Sequence, residues 1–550
     1  MNSRWSTALV LIAGGLFVSP AGGRLFAQTE RPNILWITTE DMSPRLGCYG
    51  DFTVPTPHID ALAKQSIRYT RAFGVYGTCS PNRHAIITGM YPNSTGGMAQ
   101  RVTKRTSALS KITDPKLLAI PVYEATPPAG VKCFSEYLRA AGYYCTNNVK
   151  TDYQFAAPIT AWDESSERAH WRNRPDKSRP FFAVFNYFGT HESQIFQQTS
   201  PVIVDPQAVD LPPYYPDVSV VRRDVARHYD NIARLDQFVS ERLAELDEDG
   251  VADNTIVFFF SDHGDGLPRM KRWVYDSGIR VPLLVRFPDR RGAGATNGEL
   301  VSFVDLAPTV LSLLKLPIPK YMQGQAFLGP GRSRPRKYIF ACRDRMDPAP
   351  ETIRAVRDHR FKYVRNYRPD LPYIGYIPYR DQQEIMQEMH RLIAAKKLGP
   401  DQWQFTATTK PLEELYDTKT DPHEIRNLAS DPRHFRKLAE LRSAHLEWTE
   451  RVNDLGHLAE EELLKRLWPP DGTQPTTAEP AIEIAGGRAT IRCETAGASI
   501  AFRVGARIDE AASWRLYVKP FAVGGGTEIQ AQAVRLGWKK SPLRTARSQD

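Results

Sequence analysis

The stretch "CSPNRHAIITGMYP", residues 79–92, sets a cysteine among turn formers and charged residues. Pro81 follows Cys79 by two positions and Arg83 by four, and the apolar run from Ala85 can begin a helix. That order puts Cys79 at a turn near a helix start, where free backbone N–H groups and the helix dipole favour anions. Elsewhere, Glu40 and Asp41 close one apolar run, and Asp262 and His263 close another. Carboxylate oxygens suit hard divalent cations such as Ca²⁺ or Mg²⁺. One acidic pair behind a strand is ordinarily a cap or a solvated loop end. Two pairs at like ends of separate strands, with Cys79 in a third loop, point instead to one shared site.

Positioning such a site requires strands that end together. "PNILWITTED" (32–41), "RPFFAVFNYFGTHES" (179–193) and "NTIVFFFSDHGDG" (254–266) read as buried strands. The last two deliver His191 and the Asp262–His263 pair just past their apolar runs. "CFSEYLRAAGYYCTNN" (133–148) reads as helix, glycine stop and strand, and residues 222–250 as a long amphipathic helix stopped by Gly250. Fully apolar strands alternating with helices predict an α/β fold, a mostly parallel central sheet flanked by helices. Ligands of such sheets bind beyond the carboxyl ends of the strands, where these polar residues fall.

Downstream, "IRAVRDHRFKYVRNY" (353–367) predicts a hairpin, and "ELYDTKTDPHEIRNLASDP" a strand and turn before a terminal helix. Together they predict a smaller α+β subdomain at 346–465, after a catalytic domain at 31–345. "LWPPDGTQPTTAEP" has linker composition, giving a linker at 466–480. Residues 481–550 alternate apolar and polar between glycine turns, as a small all-β sandwich would.

The 550-residue chain is 41% hydrophobic and 24% charged, an ordinary globular balance with room for several cores. Residues 1–27 have a signal-peptide pattern: Arg4, an apolar run from Thr7 to Val18, then small residues up to Ala27. Export and cleavage near Ala27 are expected, with no stable membrane anchor. The formal net charge of +10 suits polyanionic partners. No Lys/Arg block suggests a nucleic-acid arm, and export argues against that partner. An even count of six Cys in an exported chain allows three disulfides. A chemically special Cys79 would leave at least one other unpaired.

"CSPNR" followed by "TGMYP" resembles the C-x-P-x-R maturation motif of the type I sulfatases. "TTEDMSPRLGCYGD" and "NTIVFFFSDHGD" resemble that family's two metal segments. "KRWVYDSGIRVPLLVRFP" and "ELYDTKTDPHEIRNL" are similar to later family segments, so the resemblance spans about residues 31–450. Heparan N-sulfamidase-like members look nearest. The resemblance implies an alkaline-phosphatase-like fold and oxidation of Cys79 to Cα-formylglycine by a separate formylglycine-generating enzyme. It implies Ca²⁺ on Glu40, Asp41, Asp262 and His263 beside residue 79. It also implies catalytic roles for Arg83, Lys150, His191 and Lys271 on a sulfated saccharide, as ester or sulfamate. The sequence departs from the family at Glu40 and Asp152, and His263 stands where the family has Asn or His. Glu40 replaces the usual Asp, and His263 is a poorer calcium ligand than an oxygen donor. Asp152 stands where a His, the usual base, follows the lysine. His84 is read as structural or subsite-lining. The C-terminal module resembles the β-sandwich that ends chitobiases and hexosaminidases. Two alternatives stay open: a phosphate or phosphonate ester hydrolase of the same superfold, and a non-catalytic sugar-binding relative.

Overall fold

A computed structural model describes residues 31–103, 113–197, 202–509 and 512–549. The signal-peptide segment lies outside the described residues. Nine strands build the central sheet: β1 (Asn33–Thr39), β2 (Ile67–Phe73), β3 (Tyr144–Asn148), β4 (Glu164–Ser165), β5 (Phe181–Tyr187), β6 (Thr255–Ser261), β7 (Arg280–Arg286), β8 (Thr296–Asn297) and β9 (Val301–Ser302). Their order is β4-β3-β5-β1-β6-β7-β2-β8, with β9 also on β2. The block from β4 to β6 is parallel, and β7 runs against both β6 and β2. The sheet is therefore mixed but mostly parallel, as its apolar strands predict.

Every residue of β1 and β6 is buried, because both sheet faces are covered. Side chains alternate across a strand. Leu35 and Ile37 thus join the core formed with helix Ser219–Glu248, through Val225, Ile232 and Leu235. Ile34 and Trp36 join the opposite core, with Leu138 of helix Phe134–Ala140 and Val310 of helix Leu306–Leu313. The parallel register pairs Thr39 with both Tyr187 and Ser261. The residues that follow these three positions therefore emerge at one level, above the middle of the sheet.

A four-stranded antiparallel sheet follows: β10 (Ile339–Arg343), β11 (Ile353–Arg357), β12 (Phe361–Asn366) and β13 (Glu413–Asp417). The hairpin expected around Asp358–Arg360 joins β11 to β12. Helix Phe435–Arg451 packs on this sheet, with Trp448 stacked on Phe340 at 4.8 Å. The C-terminal strands are β14 (Ala481–Ala485), β15 (Arg488–Arg492), β16 (Ser499–Gly505), β17 (Arg515–Leu516), β18 (Phe521–Ala522), β19 (Glu528–Val534) and β20 (Arg544–Arg547). They form two antiparallel sheets, β14-β15-β18 and β17-β16-β19-β20. All six cysteines are free thiols, four of them fully buried, so the disulfides that the even count allowed do not form. Among the described residues no helix is long and apolar enough to cross a membrane.

Candidate active site

Cys79 opens helix Cys79–Thr88. Thr78 before it is extended, and Pro81 lies in the first turn, where its missing N–H costs no helical bond. Gly89 ends the helix at φ 70°, a left-handed conformation that glycine adopts without a Cβ penalty. All but Ile86 of this polar-looking helix is buried. Its N-terminus is aimed at the ends of β1 and β6. The Cys79 Sγ lies 3.2 Å from His263 Nε2, 3.8 Å from Asp41 Oδ1 and 3.9 Å from Glu40 Oε2.

The two acidic pairs that the sequence places at strand ends therefore meet. Asp41 Oδ1 is 3.0 Å and Asp262 Oδ1 3.6 Å from His263 Nε2. The Asp41 backbone N–H donates to Asp262 Oδ1 at 3.2 Å, tying the two strand ends together. Ligand-type atoms of Asp41, Cys79, Asp262 and His263 all lie within 4.8 Å of one another, as do those of Glu40, Asp41, Cys79 and His191. Glu40 Oε1 is buried with no hydrogen-bond partner. A buried carboxylate oxygen without a partner costs free energy, and a hard cation would satisfy it. Three carboxylates, one of them carrying that unpartnered oxygen, fit Ca²⁺ or Mg²⁺ better than a soft metal; the imidazoles and the Cys79 sulfur are the ill-matched donors.

Cations enclose this cluster. Arg83, one turn along the helix from Cys79, donates from Nε to Asp262 Oδ2 at 3.1 Å and from Nη1 to Asn186 Oδ1 at 2.7 Å. Lys150 Nζ is 2.5 Å from Glu40 Oε2 and 3.6 Å from Asp152 Oδ2. Lys271 Nζ is 2.5 Å from Asp41 Oδ2 and 3.0 Å from Glu192 Oε1. Burial pushes the Glu40 carboxyl up, against the pull of Lys150. The Asp41 carboxyl is held well below its usual range, because Lys271 and His263 outweigh its burial. Burial, aided by Lys271, pushes His191 well below the usual imidazole range, so it is neutral near pH 7. The Ser193 backbone N–H donates to its Nδ1 at 3.2 Å, which leaves the proton on Nε2.

Each site residue named from sequence thus falls in this cluster, with Asp152 at its lip. Four participants give no signal in the sequence. Glu192 is fully buried between Lys271 and Arg272, whose guanidinium donates to both its oxygens at 2.7 and 2.8 Å. Asn186 on β5 accepts from Thr38 and Arg83 and donates to Asn147 and the Asn148 carbonyl. Tyr379 reaches the His191 ring from residue 379, with centroids 6.2 Å apart. His84 is structural: its Nδ1–H donates to the Tyr153 carbonyl at 2.9 Å, and its Nε2 accepts from Thr95 Oγ1 at 2.8 Å.

A buried cluster of carboxylates and cations at the carboxyl ends of a mixed α/β sheet makes a centre suited to a metal ion and an anionic group. Residues 32–154 and 166–316 match the family profile described as Sulfatase, and residues 269–407 the one described as N-sulphoglucosamine sulphohydrolase, C-terminal. The chain is 43% identical over 549 residues to an ulvan-active sulfatase of Formosa agariphila, covering 93% of this chain and 90% of that one. It is 27% identical over 455 residues to N-sulphoglucosamine sulphohydrolase of Homo sapiens, covering 77% and 90% respectively. BT4656, solved in complex with its substrate D-glucosamine-2-N,6-O-disulfate, shares the fold at a TM-score of 0.55 and 17% identity, over 77% of this chain and 98% of that one. The chain belongs to the sulfatase family and is an enzyme of that class.

Proposed function

We propose that this protein is an exported sulfatase that removes sulfate from sulfated saccharides, as ester or sulfamate. Residue 79 works as Cα-formylglycine beside one divalent cation, Ca²⁺. The observation that carries this reading is the position of Cys79 at a buried helix N-terminus, within 3.9 Å of Glu40, Asp41 and His263. Glu40, Asp41, Asp262 and His263 would hold the cation, which supplies fixed positive charge against the sulfate oxygens. The hydrated aldehyde supplies two geminal hydroxyls, one to attack sulfur and a second whose deprotonation expels sulfate and restores the aldehyde. A serine would make the first step and then trap a sulfated enzyme.

The chain's own residues do the rest. Arg83, fixed by Asp262 and Asn186, steadies residue 79 from one turn away. Lys150 and Lys271 flank the anion; Cys79 and Glu40 hold Lys150 charged against its burial, and Asp41 with Cys79 and Glu192 does the same for Lys271. Neutral His191 presents Nε2–H, and Lys271 a proton, to the departing oxygen or nitrogen. Asp152, beside Lys150, is the acceptor for the second hydroxyl's proton, in place of the family's usual histidine. Maturation requires a formylglycine-generating enzyme, and the leader at 1–27 directs export.

Peptide mass spectrometry across residue 79, from a host holding the maturation enzyme, should find an aldehyde, and Cys79→Ala should be inert. Sulfate and phosphate release from matched aryl and sugar esters should favour sulfate by a wide margin. A plain thiol or disulfide at residue 79 in fully active protein would overturn the mechanism. Efficient phosphate release without sulfate release would move the protein to the phosphoester alternative. No release from any ester would leave the non-catalytic one.

A further inference from the structure

Residues 481–550 carry eleven Lys/Arg against six Asp/Glu, a net +5 of the chain's +10. Part of that excess gathers in one groove of about 410 Å³, where the two C-terminal sheets meet. Arg488 stands at the start of β15 in one sheet. Arg515 stands on β17 in the other, opposite Phe502. Lys519 lies on the connection between β17 and β18. All three are exposed. No Asp or Glu lines the groove, and among the described residues none of the three makes an ion pair with a carboxylate.

The floor is apolar and rigid. Phe502 and Phe521 stack across the seam, with centroids 4.4 Å apart and planes 24° apart. The Arg515 guanidinium sits 5.1 Å from the Phe502 ring centroid, and Arg488 Nη2 donates to the Pro520 carbonyl at 2.9 Å. Two of the cations are therefore held in place before any ligand arrives. Val518 on the rim is 57% exposed. The module is anchored to the catalytic domain: Lys132 Nζ donates to Ser499 Oγ at 2.8 Å and Arg139 Nη2 to the Trp514 carbonyl at 2.8 Å.

We infer that this groove binds a polyanionic polysaccharide chain, holding sulfated polymer on the enzyme independently of the catalytic cluster. The cations come from both sheets and from the connection between β17 and β18, and they line one open groove with no carboxylate among its walls, which suits a chain bearing several sulfates or carboxylates. Sugar C–H faces can lie on the exposed Val518 and the half-buried Phe521 between them, with Phe502 backing Phe521 from the core. The choice of a sulfated polymer rests on the sulfatase reading, whereas groove binding does not require turnover.

The test uses the full chain with dextran sulfate as probe and neutral dextran as control. Arg488→Gln, Arg515→Gln and Lys519→Gln combined should weaken dextran sulfate binding about five- to twentyfold and flatten its salt dependence. Hydrolysis of a small aryl sulfate should not change. Val518→Glu, which adds a carboxylate at an exposed rim position, should weaken binding with the fold intact. A matched triple change elsewhere, Arg391→Gln, Arg433→Gln and Lys465→Gln, should leave binding within about twofold. Equal loss in both triple variants, or no loss in the groove variants, would overturn the proposal. Tight dextran sulfate binding by a protein that releases no sulfate would keep the groove and reject the sulfatase reading.

Discussion

His191 and Lys271 reach the same cluster with protons of opposite character. Lys271 is charged because Asp41 and Glu192 outweigh its burial; His191 is neutral because nothing outweighs its own. Donation from either matters most when the leaving group is basic. Lys271→Ala and His191→Ala should therefore cut turnover of a sulfated sugar roughly 10²- to 10⁴-fold, and cost much less on an activated aryl sulfate. Equal losses on the two substrates would remove both from proton donation. Glu192 holds this arrangement from behind Asp41, to whose Oδ2 its backbone N–H donates at 2.7 Å. Glu192→Gln would leave Lys271 and Arg272 under-compensated in a buried site, at a cost of about 3 kcal/mol or more of stability. A thermal midpoint equal to that of the parent would contradict that account. Glu192 also marks what sequence does not reveal. In "GTHES" it looks like a loop acid, and its partners lie some 80 residues away, beyond β6 in the chain. The opposite holds for Cys79, Glu40, Asp41, Asp262 and His263, because strand ends and residue types announce them together.

At the scale of elements, the existence and burial of a strand were legible wherever a run was strongly apolar, as in β1, β5 and β6. β2 carries Arg68 and Arg71 in a partly exposed run and gives no comparable signal. The antiparallel course of β7 has none either, since a run buried on both faces reads alike in either direction. Helix Cys79–Thr88 was legible as a start but not as a buried element, because Asn82, Arg83 and His84 find their partners far away in the sequence. His84 shows the consequence. Burial lowers its pKa from 6.5 to about 4, so the buried ring is neutral near pH 7. The unfolded chain takes up a proton as pH falls through 6.5, while the folded protein resists until about 4. Stability from this group is thus intact above pH 6.5 and is lost towards pH 4, a change of roughly 3 kcal/mol at about 1.4 kcal/mol per unit. Urea unfolding of the parent and His84→Gln between pH 7.5 and 4.5 isolates it. The stability difference between the two proteins should shift by about that amount over the range, and a flat difference would show that His84 does not govern it.

At the scale of the molecule, the stretch with linker composition does not behave as a free tether. Trp468 is 5% exposed, and its Nε1–H is shared between the Gly537 carbonyl at 3.0 Å and Thr126 Oγ1 at 2.9 Å. Thr476 pairs with Lys539, and Thr477 is buried. Residues 125 and 126, the Trp468 side chain and the turn at Gly537 therefore meet at one junction between the catalytic domain and the C-terminal sheets. Pro and Thr enrichment cannot disclose this, because composition reports local flexibility and not what a distant turn presses against. Gly537 carries the junction, with φ 79°, a left-handed conformation that strains any other residue except Asn or Asp. A Cβ there would meet the Ala125 carbonyl oxygen at 2.5 Å and Thr126 Cα at 2.6 Å, and would crowd Thr126 Oγ1. The Ala125 and Thr126 backbone cannot yield easily, since Ala125 N–H is bound to the Gln154 carbonyl and Thr126 N–H to the Thr95 carbonyl. Thr95 in turn hydrogen-bonds His84 on the helix that begins at Cys79. Gly537→Ala should accordingly cost about 2 kcal/mol or more and uncouple the C-terminal module. Calorimetry should find one transition for the parent, and for the variant a lower or split transition. Small-substrate turnover at 25 °C should hold, since no catalytic side chain moves. An unchanged single transition in Gly537→Ala would mean that the junction adds nothing to the cooperativity of the fold.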